Sequence, residues 1–146
     1  MRPTEVFLSH SDRDRATAQR LSDVLIGHGV TVWFSRESIL SGQRWHDEIG
    51  AALERCDWFL LLVSSHAVAS KWVRRELNFA LDSERYRNPE TNEERIIPVQ
   101  CGDCDIGQLS WTLPQLQIVD IASDFPNGVR AILRRWGIGL RNELLT

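Results

Sequence analysis

Between Asp57 and Ser64 the chain reads Trp58-Phe-Leu-Leu-Leu-Val63, an apolar run with no alternation. A strand with one face in water alternates apolar and polar residues, whereas a strand covered on both faces is apolar throughout. The run is also far too short to cross a bilayer, which takes about 20 apolar residues in a helix. It therefore predicts the centre of a parallel sheet with helices packed on both sides. The flanking sequence supplies those helices. Ala18, Leu21, Val24 and Leu25 recur at helical spacing after Ser11 and Asp12, which can cap a helix ending near His28-Gly29. Ile49, Ala52, Leu53 and Cys56 form a second stripe, and Val73, Leu77, Ala80 and Leu81 a third, capped by Ser70 and stopped by Asn88-Pro89. Val129, Ile132, Leu133 and Trp136 form a fourth, opened by Asp124 and Pro126.

Strand-like segments separate these stripes: Val6 to Leu8, Val30 to Phe34, Ile96 to Val99 and Leu116 to Ile121. Pro98 suggests a less central place for the fourth strand, because proline cannot donate to a ladder. Strands alternating with helices imply right-handed crossovers and a five-stranded flavodoxin-like α/β domain with helices on both faces of a parallel sheet. In such sheets ligands bind outside the carboxyl ends of the strands. Those ends are Ser9 to Asp12, Ser35 to Gly42 and Ser64 to Ser70.

At 146 residues and a net charge of −3 the chain is one domain long and lacks the basic footprint of a nucleic-acid binder. Its first residues contain no apolar signal core, and its three cysteines leave one unpaired in any disulfide scheme, so a reducing, cytoplasmic setting is expected. Neither G-x-G-x-x-G nor G-x-x-x-x-G-K-[ST] occurs, which removes the main support for dinucleotide-binding dehydrogenases and P-loop NTPases. Cys101-Gly-Asp-Cys104 lacks the second cysteine or histidine pair that a zinc site needs, so no metal is expected. Ser9-His10-Ser11-Asp12 contains the residue types of a hydrolytic triad, but consecutive side chains point apart and do not converge. A loop and helix cap is the better account. Most of the six tryptophans are expected in the core, with some free to act as platforms for a flat ligand.

Trp72 and Glu76 are the informative pair. At i and i+4 they share a helix face, read here as offset from the packing stripe, with a carboxylate beside an indole. Taken alone, an exposed glutamate next to a half-buried tryptophan is the commoner arrangement. In context, Phe7 to Ser11, Val32 to Phe34, Gly42 to Trp45, Trp58 to Ser64 and Trp72 to Leu77 occur in the order and approximate spacing of a TIR (Toll/interleukin receptor) domain. The chain resembles the bacterial members of that family from about Glu5 to Trp136, which leaves residues 137–146 as a tail, read as the start of a connection to another domain.

The resemblance implies an enzyme that cleaves the nicotinamide–ribose bond of NAD⁺, giving nicotinamide and ADP-ribose or a cyclic isomer. NAD⁺ would be its substrate, with no cofactor and no metal. Glu76 would be the catalytic carboxylate. Trp72, Ser9, His10, Ser11, Phe34, Ser35 and Trp45 would contact the substrate. Many relatives carry an acid directly after the second strand, where this chain has Ser35, so binding or product choice is expected to differ. The loop Ser35 to Arg44, with Arg36, Glu37, Ile39, Leu40, Gly42 and Arg44, would mediate assembly with other TIR domains. The resemblance further implies a role in prokaryotic antiviral defence, triggered through a ligand-sensing domain or partner protein, with no direct contact to nucleic acid or membrane. The alternative class is a signalling adaptor that builds TIR–TIR complexes without catalysis. A deoxyribosyltransferase-like enzyme on a related fold is a third reading.

Overall fold

The structure is a computed structural model that describes residues 2–34 and 42–145, the side chains of 42–46 excepted. In chain order its elements are β1 (Val6–Ser9), α1 (Arg15–Gly27), β2 (Val32–Phe34), α2 (Gly42–Arg55), β3 (Trp58–Val63), α3 (Ser65–Val68), α4 (Lys71–Asp82), β4 (Ile96–Gln100), β5 (Val119–Asp120) and α5 (Phe125–Arg135). The apolar run is β3 over its whole length, buried at every residue. The strands form one all-parallel sheet in the order β2-β1-β3-β4-β5, which places β3 at its centre.

The two-residue period of a strand divides β3 between two cores. Trp58, Leu60 and Leu62 pack with α1 and α5 through Leu21, Leu25, Val129 and Leu133. Phe59, Leu61 and Val63 pack on the opposite side with α2 and α4 through Ile49, Leu53, Val73 and Leu77. Aromatic contacts extend both layers. Phe7 stacks on Phe59 at 5.4 Å and on Trp33 at 5.0 Å, and Trp58 meets Trp136 edge-on at 5.7 Å. Trp111 departs from the expectation of a core tryptophan, being 77% exposed.

Element limits depart from the periodicity in four places. The second strand is shorter than Val30 to Phe34, because Val30 donates its N–H back to Leu25 O and closes the end of α1. An additional short helix, α3, follows β3, capped by Ser64, whose Oγ accepts from Ala67 N. Helix α4 ends at Asp82 instead of reaching Asn88: Ser83 turns extended and caps a 3-10 turn (Glu84–Tyr86) that buries the Tyr86 ring and lets its hydroxyl donate to Leu53 O. The last strand keeps just Val119–Asp120.

β4 lies one strand from the centre, the less central place that Pro98 suggests, and it is not an edge strand. On either side of β4, Arg95 O and Cys101 N bond to β3, while Gln100 O bonds to Ile121 N, so even-numbered backbone groups face β5. Pairing with β5 begins at Val99, so the missing N–H of Pro98 falls where no acceptor waits.

Residues 137–145 pack back on α1. Ile138 is buried, and Leu140 and Leu145 lie against the α1/α5 core. His28 holds the tail on two sides: its Nδ1–H donates to Val24 O (2.8 Å), and Nε2 accepts from Arg141 N (2.9 Å). None of the described helices is long and apolar enough to cross a membrane.

Candidate active site

From β1 the chain crosses to β2 on one side of the sheet, whereas β3, β4 and β5 extend on the other. The crossovers therefore diverge between the carboxyl ends of β1 and β3, the place where ligands enter doubly wound sheets. Strand alternation puts Ser9 on the same side as Phe7, facing the α2/α4 layer. Helix α4 presents Val73, Glu76, Leu77 and Ala80 to that layer, and all four are buried. Glu76 thus occupies the i+3 position of the packing stripe itself rather than an offset face. Leu81, assigned to the stripe from sequence, is partly buried against the same core. The stripe reads inward because i, i+3, i+4 and i+7 project along one side of a helix. A carboxylate at i+3 is carried into the crevice along with its apolar neighbours.

Burying that carboxylate has a direct electrostatic result. Glu76 is 5% exposed and accepts a 2.6 Å hydrogen bond from Ser9 Oγ. Desolvation raises its pKa from 4.5 to about 7, against the lowering effect of the Ser9 hydroxyl. Among the described residues no cation pairs with it. A buried acid without a cation destabilises a fold, and groups of this kind collect where chemistry requires them.

The structure places the other residues expected in the site differently from one another. Ser9 and Glu76 are joined directly. His10, 9% exposed, follows Ser9, and its ring lies 5.7 Å from that of Phe34 at the end of β2. Its Nδ1 lies 2.8 Å from Ser11 O, which fixes the proton on that nitrogen, and the buried Nε2 finds no hydrogen-bond partner among the described residues. Ser11 is engaged in local structure: its Oγ accepts from Arg13 N and caps the turn Asp12–Asp14. Trp72, one turn before Glu76, is half-buried against the α2/α4 core, and the Arg75 guanidinium lies 5.0 Å above its ring. Ser35, Arg36, Glu37, Ile39 and Leu40 lie outside the described residues. Gly42, Arg44 and Trp45 fall in the backbone of α2, their side chains outside the description.

No triad forms at Ser9-His10-Ser11-Asp12. Ser9 turns to Glu76, and Asp12 meets Arg15 at 3.0 Å on the surface. The Cys101 and Cys104 thiols are free, and burial pushes the Cys101 pKa up to about 12, so it is held as a neutral thiol. The described residues contain no cluster of three metal-ligating side chains.

Sequence reasoning missed one polar contact at the crevice. Ser64 Oγ, at the end of β3, donates to Asp14 Oδ2 at 2.5 Å, joining the loop after β1 to the loop after β3. Ser64 stands where a helix cap stands, a legible signal; nothing local marks Asp14 as its partner.

Compared with known proteins, the chain matches the TIR domain family model over residues 6–133. The chain belongs to the TIR domain family. It is 25% identical over 122 residues to the Stimulator of interferon genes protein of Magallana gigas, a match covering 83% of this chain and 28% of the relative. It is 26% identical over 100 residues to the NAD(+) hydrolase PdTIR of Paracoccus denitrificans (strain Pd 1222), covering 66% of this chain and 31% of that protein. The TIR domain described here therefore spans less than a third of the length of these curated relatives. Among solved structures, it superposes on a metazoan TIR-STING receptor from C. gigas in complex with 2′,3′-cGAMP, with a TM-score of 0.66 and 21% identity, over 96% of this chain and 38% of that one. The TIR domains of the activated Roq1 resistosome, which recognises the pathogen effector XopQ, give a TM-score of 0.55 at 21% identity, over 97% of this chain and 81% of that one. These likenesses establish the flavodoxin-like TIR fold.

Proposed function

We propose that this TIR domain is an NAD⁺ glycohydrolase with Glu76 as its catalytic carboxylate. The observation that carries the reading is the buried Glu76–Ser9 pair at the switch point, an acid kept at a cost to stability where a ligand would enter. A distant relative named as an NAD(+) hydrolase supports the same chemistry. In the reaction, the C1′–N bond of the nicotinamide ribose breaks with its electron pair going to the nicotinamide nitrogen. Water adds at C1′ and releases one proton, giving ADP-ribose; closure by an adenine nitrogen in place of water gives a cyclic isomer. Positive charge develops on the ribose as the bond lengthens, and a fixed carboxylate in a site poor in water stabilises it strongly. With a pKa near neutrality, Glu76 is substantially ionised at pH 7 and above. Ser9, donating to it, holds one oxygen in place. Trp72 supplies an apolar wall one turn away, and His10 and Phe34 line the adjoining strand ends.

The protein acts in the cytoplasm as an immune effector in antiviral defence, assembling with other TIR domains. Its trigger comes from a sensing domain or a partner protein. The decisive experiment measures nicotinamide release from NAD⁺ by concentrated protein, wild type against Glu76→Gln. The wild type releases nicotinamide, and the variant, with size and fold preserved, is slower by roughly two to three orders of magnitude or more. A folded Glu76→Gln protein with wild-type turnover removes the assignment. A wild type without turnover, even when concentrated, favours the adaptor.

A further inference from the structure

Asp14 occupies the N-cap position of α1, yet its side chain makes no bond to the helix it precedes. It reaches instead to Ser64, 50 residues away in sequence. Ser64 is 4% exposed and uses one hydroxyl twice, donating to Asp14 Oδ2 and accepting from Ala67 N at the start of α3. The Asp14 backbone is itself tied to the loop, donating to Ser11 O at 2.9 Å. One hydroxyl therefore joins two bodies. The first is the end of β1 with the loop that follows it, which carry Ser9, His10 and Ser11. The second is α3, packed on the α4 helix that carries Glu76.

We infer that Asp14 and Ser64 are positioning residues that hold the loop after β1 in register with α4, and so set the Ser9–Glu76 hydrogen bond. Serine and glutamate on separate elements meet at 2.6 Å only if those elements keep a fixed offset: Ser9 is registered opposite Leu61 of β3, and α4 is reached from β3 through Ser64 and α3. The Asp14–Ser64 bond ties the loop after β1 to the segment that leads from β3 through α3 into α4, so it braces the same two parts of the chain that the Ser9–Glu76 bond joins. Cys101, at the end of β4, and Cys104 both sense the Asp14 charge, and burial, the larger cause in each, also raises both thiols. Glu76 itself faces Ser9 and apolar surroundings with no charged group of the described residues contributing to its titration.

The kinetic arm of the test rests on the NAD⁺-cleaving reading, so a second readout is independent of activity: the Glu76 carboxyl titration followed by carbon-13 NMR. Asp14→Ala is compared with Asp14→Asn, which keeps an oxygen for the Ser64 hydroxyl to donate to. With Asp14→Ala the Glu76 midpoint rises by about half a pH unit as the Ser9 bond loosens, and kcat falls on the order of tenfold to a hundredfold with a smaller change in KM. Asp14→Asn restores both. Ser64→Ala reproduces the Asp14→Ala signature and serves if that variant does not fold. A folded Asp14→Ala with unchanged midpoint, or an Asp14→Asn no better than Asp14→Ala, overturns the inference; so does collapse of both Asp14→Ala and Ser64→Ala. If the wild type cleaves no NAD⁺, the functional reading fails while the Glu76 midpoint still decides this one.

Discussion

A glutamate raised from 4.5 to about 7 by burial titrates in a window that two different measurements can see. The folded state holds the Glu76 proton more tightly than the unfolded chain, so the contribution of Glu76 to stability is most favourable below about pH 4.5, declines as pH rises to about 7 and then levels off. The full cost is roughly 3 kcal/mol. Glu76→Gln abolishes this decline, so the melting temperature of wild type relative to the variant falls between about pH 5 and pH 8. Turnover moves in the opposite direction, rising through about pH 7 as the carboxylate forms, if the ionised group stabilises the ribose cation. A pH-independent stability difference would mean that Glu76 does not titrate in this window. Trp72 carries two roles of a different kind, packing against the core and standing one turn from Glu76. Trp72→Ala lowers both melting temperature and NAD⁺ cleavage, whereas Trp72→Phe retains most of the packing and separates the two. Activity loss that merely tracks unfolding across both variants makes Trp72 structural.

The α5–β5 junction shows how closely the outer layer approaches the sheet. A Cβ on Gly128 would stand 2.5 Å from Ile121 Cγ2 and 2.6 Å from Asp120 O, and a backbone oxygen cannot step aside as a flexible side chain can. Gly128→Ala is therefore destabilising by about 1–3 kcal/mol, despite the better helix propensity of alanine. Thermal unfolding should shift down by roughly 3–10 °C. An unchanged melting temperature would show that α5 can retreat from β5 without loss. Element limits follow the same logic of competing partners. Helix α4 stops at Asp82 because burying Tyr86 under α2 outweighs another turn of helix, and β5 is short because it pairs with β4 over two residues.

For the assembled molecule, the sequence of the loop Ser35 to Arg44 motivates one expectation. Ile39 and Leu40 flanked by Arg36, Glu37 and Arg44 have the composition of an interface, an apolar centre with a charged rim. Docking of a neighbouring TIR domain raises activity only if the neighbour binds the competent loop better than the idle one. Specific activity then rises with protein concentration in wild type, further with a crowding agent, and stays low in an Ile39→Asp/Leu40→Asp double variant. Constant activity per molecule in a demonstrably monomeric sample sinks the idea.

Reading the chain residue by residue was enough for the sheet and its layers. A fully apolar run means cover on both faces, and four helical stripes in alternation with strands leave little but a parallel doubly wound domain. The ordered motifs from Phe7 to Leu77 also led to the family. What lay beyond reach was long in range. The Trp72/Glu76 spacing taken alone reads as an exposed glutamate, and the family resemblance marks it as catalytic while leaving it on a face offset from the packing stripe; packing against β1 carries it inward as a stripe position. Its bond to Ser9 spans 67 residues, and the Asp14–Ser64 bond spans 50. Local periodicity reports which face a residue takes; it carries no record of which distant side chain will stand there. That pairing is set when the strands register, and the carboxylate acquires its raised pKa at the same moment, because water leaves the crevice as the sheet closes.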